Sequence, residues 1–119
     1  MSDKQVKQNP TQEDRIQAEV ARLNKVLAVL PENKKNLAKG LIESAAFMKV
    51  TLVDMEKDIS AKGCVEAFQQ SVAIAPYARI RPVAQLYNTV NKNYQTTIKQ
   101  LNDMLPKEET EHFSRLNLF

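Results

Sequence analysis

The residues of this chain able to do chemistry are few and scattered. There is one histidine, His112, and one cysteine, Cys64. His112 stands among glutamates near the C-terminus, and Cys64 has no histidine close to it in sequence. Neither belongs to a recognisable nucleophile–base pair. No Cys/His set has the spacing of a zinc site. Asp54, Glu56 and Asp58 alternate along a stretch of helical periodicity, which spreads them over different faces, whereas two-metal or paired-carboxylate chemistry needs convergent groups. No GKS or GKT run is present to hold a nucleotide phosphate. The sequence reads as that of a non-enzyme, with no metal or cofactor implied.

Basic residues carry a stronger signal. Lys34, Lys35 and Lys39 cluster in one short stretch, and Lys49 returns to the same flank. Arg79 and Arg81 lie two apart between two prolines, and Lys92 and Lys99 share the polar side of a helix. With a formal charge of +3 the chain is mildly basic, which suits nucleic acid or an acidic partner without choosing between them. A phosphate backbone is bound by such donors repeated along a surface. Lys34, Lys35, Lys39, Arg79, Arg81 and Lys92, all off the apolar stripes, are the expected DNA-binding face. No aromatic residue interleaves them as a stacking platform for single strands. Tyr87 and Tyr94, one heptad apart on an apolar stripe, read as packing residues.

The elements that must hold these residues follow from apolar spacing. Residues 1–10 are polar and expected to be a disordered arm. A helix is expected from Thr11, with Ile16, Val20, Leu23, Leu27 and Leu30 on one side, ended by Pro31. A second helix over about 34–61 carries Leu41, Ala45, Met48, Leu52, Met55 and Ile59 in a heptad-like seam, extended upstream by Leu37 or Ala38. Gly63 closes it. The connector is expected to hold one helical turn and then an extended piece around the two arginines. A third helix runs from Pro82, with Val83, Leu86, Tyr87, Val90, Tyr94, Ile98, Leu101, Met104 and Leu105 on its stripe, until Pro106 stops it. At about 35 Å it matches the second helix in length, so the two are expected to form a long antiparallel hairpin. Residues 11–106 then form one all-α domain, followed by a tail, 107–119, that ends in FSRLNLF.

The second helix has another apolar stripe, Ile42, Ala46, Val50 and Val53, about 120° from the first. A helix apolar on two sides needs more than one neighbour. Three helices leave a small core, so these four residues are expected at an interface between copies of the chain. No apolar run approaches the ~20 residues of a membrane span. The N-terminus lacks a signal-peptide core, and a lone cysteine does not point to an oxidising compartment. A cytoplasmic location is expected.

The segments LIESAAFMKVTLVDMEKDI (41–59) and RPVAQLYNTVNKNYQTTIKQLNDMLPK (81–107) resemble small terminase subunits of tailed bacteriophages. The resemblance is to the group found in phages and prophages of Gram-positive bacteria, and it covers roughly 32–108. It implies a non-catalytic ring built on antiparallel helical hairpins. Such a ring recognises double-stranded viral DNA and regulates a large terminase subunit, which holds the ATPase and nuclease, in the host cytoplasm. Many relatives carry a separate N-terminal helix-turn-helix, for which this chain has little room. A second reading from a different class is a small helical adaptor or inhibitor, which binds a protein through the hairpin and does not bind DNA.

Overall fold

A computed structural model describes residues 9–106 of the 119-residue chain. The elements are α1 (Gln12–Val26), α2 (Glu32–Lys62), β1 (Val65–Phe68), β2 (Tyr77–Ile80) and α3 (Pro82–Asp103). The arm before residue 9 and the tail from 107, with His112 and FSRLNLF, lie outside the described residues.

α1 begins in a reciprocal cap. The Asp14 amide donates to the Thr11 hydroxyl oxygen at 3.0 Å, and the Thr11 amide donates to the Asp14 carboxylate at 3.2 Å. Two of the helix's unpaired amides are thereby satisfied. The helix stops at Val26, earlier than Pro31 alone requires. Leu27 to Leu30 form a turn in which the Leu30 amide donates to the Leu27 carbonyl, and Leu27 and Leu30 are still buried. Proline restricts the residue before it to extended geometry, so the chain has to leave the helix ahead of Leu30. α2 then starts at once, at Glu32. Its 31 residues make a rod of about 46 Å, closed by Gly63 at φ 79°. There the Gly63 amide donates to the Ile59 carbonyl.

α2 is the central rod. α3 packs antiparallel along it, as expected: Tyr87 near the start of α3 bonds Glu56 near the end of α2. α1 packs antiparallel along α2 as well, with Arg15 against Asp54 at one end and Leu27 and Leu30 beside Ala38 and Ile42 at the other. One core joins Leu23, Leu27 and Leu30 of α1 and its turn, Ala38, Ile42, Ala45 and Leu52 of α2, and Tyr94, Ile98, Leu101 and Leu105 of α3 and its end.

This arrangement corrects the interface expectation. Ile42, Ala46 and Val50 are 4 %, 0 % and 5 % exposed within a single chain, and Val53 is half-buried. Periodicity showed that this flank must be covered. α1 runs beside α2 from Ile42 to Asp54 and is the neighbour available to cover it, so no second copy is needed there. Two smaller differences concern register. Ala38 continues the seam while Leu37 is 73 % exposed, and Leu86 is 53 % exposed beside the buried stripe of α3.

The connector also departs from expectation, and the fold is mostly helical rather than all-α. In place of a helical turn and an extended piece, β1 and β2 form an antiparallel hairpin with Val65 opposite Ile80, Glu66 opposite Arg79, Ala67 opposite Ala78 and Phe68 opposite Tyr77. Strand residues alternate between faces. One face therefore carries Glu66, Arg79, Phe68 and Tyr77, and the other carries only Val65, Ala67, Ala78 and Ile80.

Candidate functional site

Of the six residues expected to bind DNA, the structure leaves four available. Lys34, Lys35, Lys39 and Lys92 are exposed and form no ion pair among the described residues. The first three sit in the opening turns of α2, where the Lys34 and Lys35 amides bond the Pro31 carbonyl. Lys35 turns toward α1, lining a small cleft with Asn24, Leu27 and Ile42. Lys92 lies on the outer side of α3, two positions from the buried Tyr94, well along the rod from the other three. Lys49 is spent differently, with its ammonium 5.9 Å from the centroid of the Tyr94 ring.

The two arginines do not join that face. Arg79 Nε donates to Glu66 Oε2 at 2.7 Å across the hairpin, and its guanidinium lies 3.6 Å from the centroid of Phe68. Phe68 in turn meets Tyr77 edge-on at 5.8 Å. The charged face of the hairpin is thus a closed set of contacts. Arg81 donates from one nitrogen to Asp58 Oδ2 and from another to the Gly63 carbonyl, each at 2.6 Å. Its side chain is only 14 % exposed, and its amide bonds the Cys64 carbonyl at 2.7 Å. Arg81 is the bolt between the hairpin and the end of α2. A guanidinium held by carboxylate and carbonyl has few donors left for phosphate.

The three alternating carboxylates of α2 diverge, each toward a different element. Asp54 reaches Arg15 of α1, Glu56 accepts from Tyr87 of α3 at 2.8 Å, and Asp58 holds Arg81 and, more loosely, Lys62. The hydrogen bonds from Arg15 and Arg81 draw the pKa of Asp54 and Asp58 below the usual carboxylate range. Its bond to Glu56 raises that of the Tyr87 hydroxyl. Burial, more than any nearby charge, raises that of Tyr94. These are structural struts, and no group of three or more metal-ligating side chains occurs among the described residues.

A feature the sequence did not disclose lies where hairpin meets helices. An apolar cavity of about 520 Å³ opens between the last turns of α2, the hairpin base and the first turns of α3, lined chiefly by Ile59, Cys64, Ile80, Ala84 and Tyr87. Around it the hairpin exposes large apolar side chains: Val65 57 %, Ile80 53 % and, at the tip, Val72 98 % and Ile74 46 %. No spacing rule could have found this site, because its walls come from three separate elements.

Among the described residues no helix is long and apolar enough to cross a membrane. Comparison of the chain with known protein families, characterised proteins and solved structures finds no match.

Proposed function

We propose that this chain is the small, non-catalytic subunit of a phage DNA-packaging terminase, a ring-forming component that binds double-stranded viral DNA and regulates a large subunit. The observation that carries the reading is the long antiparallel α2–α3 pair, which coincides with the two segments resembling that family. Lys34, Lys35 and Lys39, with Lys92, supply its exposed basic residues. Arg79 and Arg81 serve the hairpin instead. The test is duplex binding across a salt series, in which log affinity should fall by about 0.9 per phosphate neutralised for each unit of log salt. Charge reversal of Lys34, Lys35 and Lys39 together should flatten that slope and weaken binding at low salt. An unchanged slope would reject the site. A native mass spectrum showing one 13.5 kDa chain at micromolar concentration would reject the ring.

One observation favours the second reading, a helical adaptor that binds protein and not DNA. The exposed apolar surface is concentrated on the hairpin rather than near the lysines. Absence of any gel shift at low salt, with an intact oligomer or complex, would select it.

A further inference from the structure

The hairpin carries an apolar knob at its tip and an apolar hole at its base. The knob is preorganised. The Gln69 side-chain amide donates to the Ile74 carbonyl at 2.9 Å and to the Val72 carbonyl at 3.5 Å, and the Ile74 amide closes the turn onto Ser71 at 3.2 Å. This clamp leaves Val72 almost wholly in solvent and Ile74 half so. A tip held in one shape loses little freedom when it docks. The hole has room for two aliphatic side chains, and its main polar wall, Tyr87 and Glu56, is already satisfied internally. It therefore offers few free groups to orient a polar small molecule.

We infer that the hairpin tip of one copy, Val72 and Ile74, seats in the Ile59–Cys64–Ile80–Ala84 hole of the next copy. The inference rests on the self-assembly part of the proposed function and names its contact. Knob and hole lie at opposite ends of one hairpin, so the contact is head-to-tail, the kind that closes into a ring or runs on as a filament. The chain's own ends fit the hole poorly. Pro106 is at the other end of α3, about 33 Å away. The six residues 107–112 span about 20 Å fully extended, so they do not bring the apolar FSRLNLF to the hole. The arm before Thr11 starts nearer, but it offers only Met1, Val6 and Pro10 as apolar residues.

The native Cys64 in the hole makes a direct test possible. Val72→Cys stands roughly 15 Å from Cys64 along its own strand, too far for a disulfide within one chain. Mild oxidation of this variant should give a ladder of dimers, trimers and higher species on a non-reducing gel. The ladder should vanish when Cys64→Ser is added. A second arm uses native mass. Val72→Asp, at a position too exposed to disturb folding, should return the assembly to single chains, as should Ala84→Phe, which fills the hole. Mixed together, the two variants retain one intact knob and one intact hole and should form pairs and nothing larger. Dimers alone, a ladder that survives Cys64→Ser, or a Val72→Asp assembly of unchanged mass would overturn the inference while leaving the ring reading in place. A wild-type chain that is monomeric throughout would overturn both.

Discussion

Arg81 is the residue on which the position of the hairpin depends. It holds Asp58 and the Gly63 carbonyl while its own amide holds Cys64. Asp58 has a depressed folded-state pKa because of that guanidinium. The sign follows from linkage: the ion pair's contribution is complete above the ordinary carboxylate pKa and is lost as pH falls through the lower folded value. Amide exchange in β1 and β2 should therefore quicken as pH drops below about 4, beyond the intrinsic pH trend of unstructured amides, while the α2–α3 core stays protected. Asp58→Asn should show the faster exchange at neutral pH and lose the acid-dependent step. If the hairpin amides of Asp58→Asn are as protected as in the wild type, Arg81 is not the bolt. The sequence suggested phosphate for this arginine because two basic residues in a proline-flanked connector look solvent-bound. Its partners, Asp58 and Gly63, lie 23 and 18 residues away, a distance that no local pattern reports.

At the scale of elements, the three helices follow from apolar spacing and their packing should respond as a core does. Leu101 is 1 % exposed, so Leu101→Ala should cost about 2–5 kcal/mol in thermal or urea unfolding. Two glycines separate backbone need from habit. Gly63, at φ 79°, ends α2 in a conformation that costs other residues about 1–2 kcal/mol, and Gly63→Ala should lower stability by roughly that amount. Gly40 is mid-helix, and a Cβ there would meet nothing within 4 Å. Gly40→Ala should raise stability by about 0.5–1 kcal/mol; a loss instead would show that something outside the chain approaches α2 at that point. The helices were legible because Leu, Val and Ile recur at three- and four-residue steps over many turns. The hairpin was not, since each strand has four residues and the eight-residue tip lacks the two-residue Asn-Gly type of turn that announces a hairpin. Val65, Phe68, Val72 and Ile74 fit a helical turn about as well, and only the cross-strand pairing of Glu66 with Arg79 and Phe68 with Tyr77 decides the matter.

At the scale of the whole molecule, the ends of the α2 rod differ. Lys34, Lys35 and Lys39 stand at its start, and the apolar hairpin stands beyond its finish. The candidate DNA face and the candidate contact between copies are thereby kept apart, so charge reversal of the three lysines should leave native mass unaltered. A fall in mass would show that the two surfaces are one. The sequence expected a second copy on the Ile42–Val50 flank, and periodicity could not say that α1 lies along it. What it did establish, that the flank cannot face water, holds. α1 reaches its seat through the short turn from Leu27 to Pro31, and the same seat exists on every copy. A trade of α1 between two chains would reproduce each native packing contact and alter only the hinge. Deleting Ala28 and Val29 should make folding back sterically impossible, so that the protein is recovered as an intertwined pair exchanging its first helix.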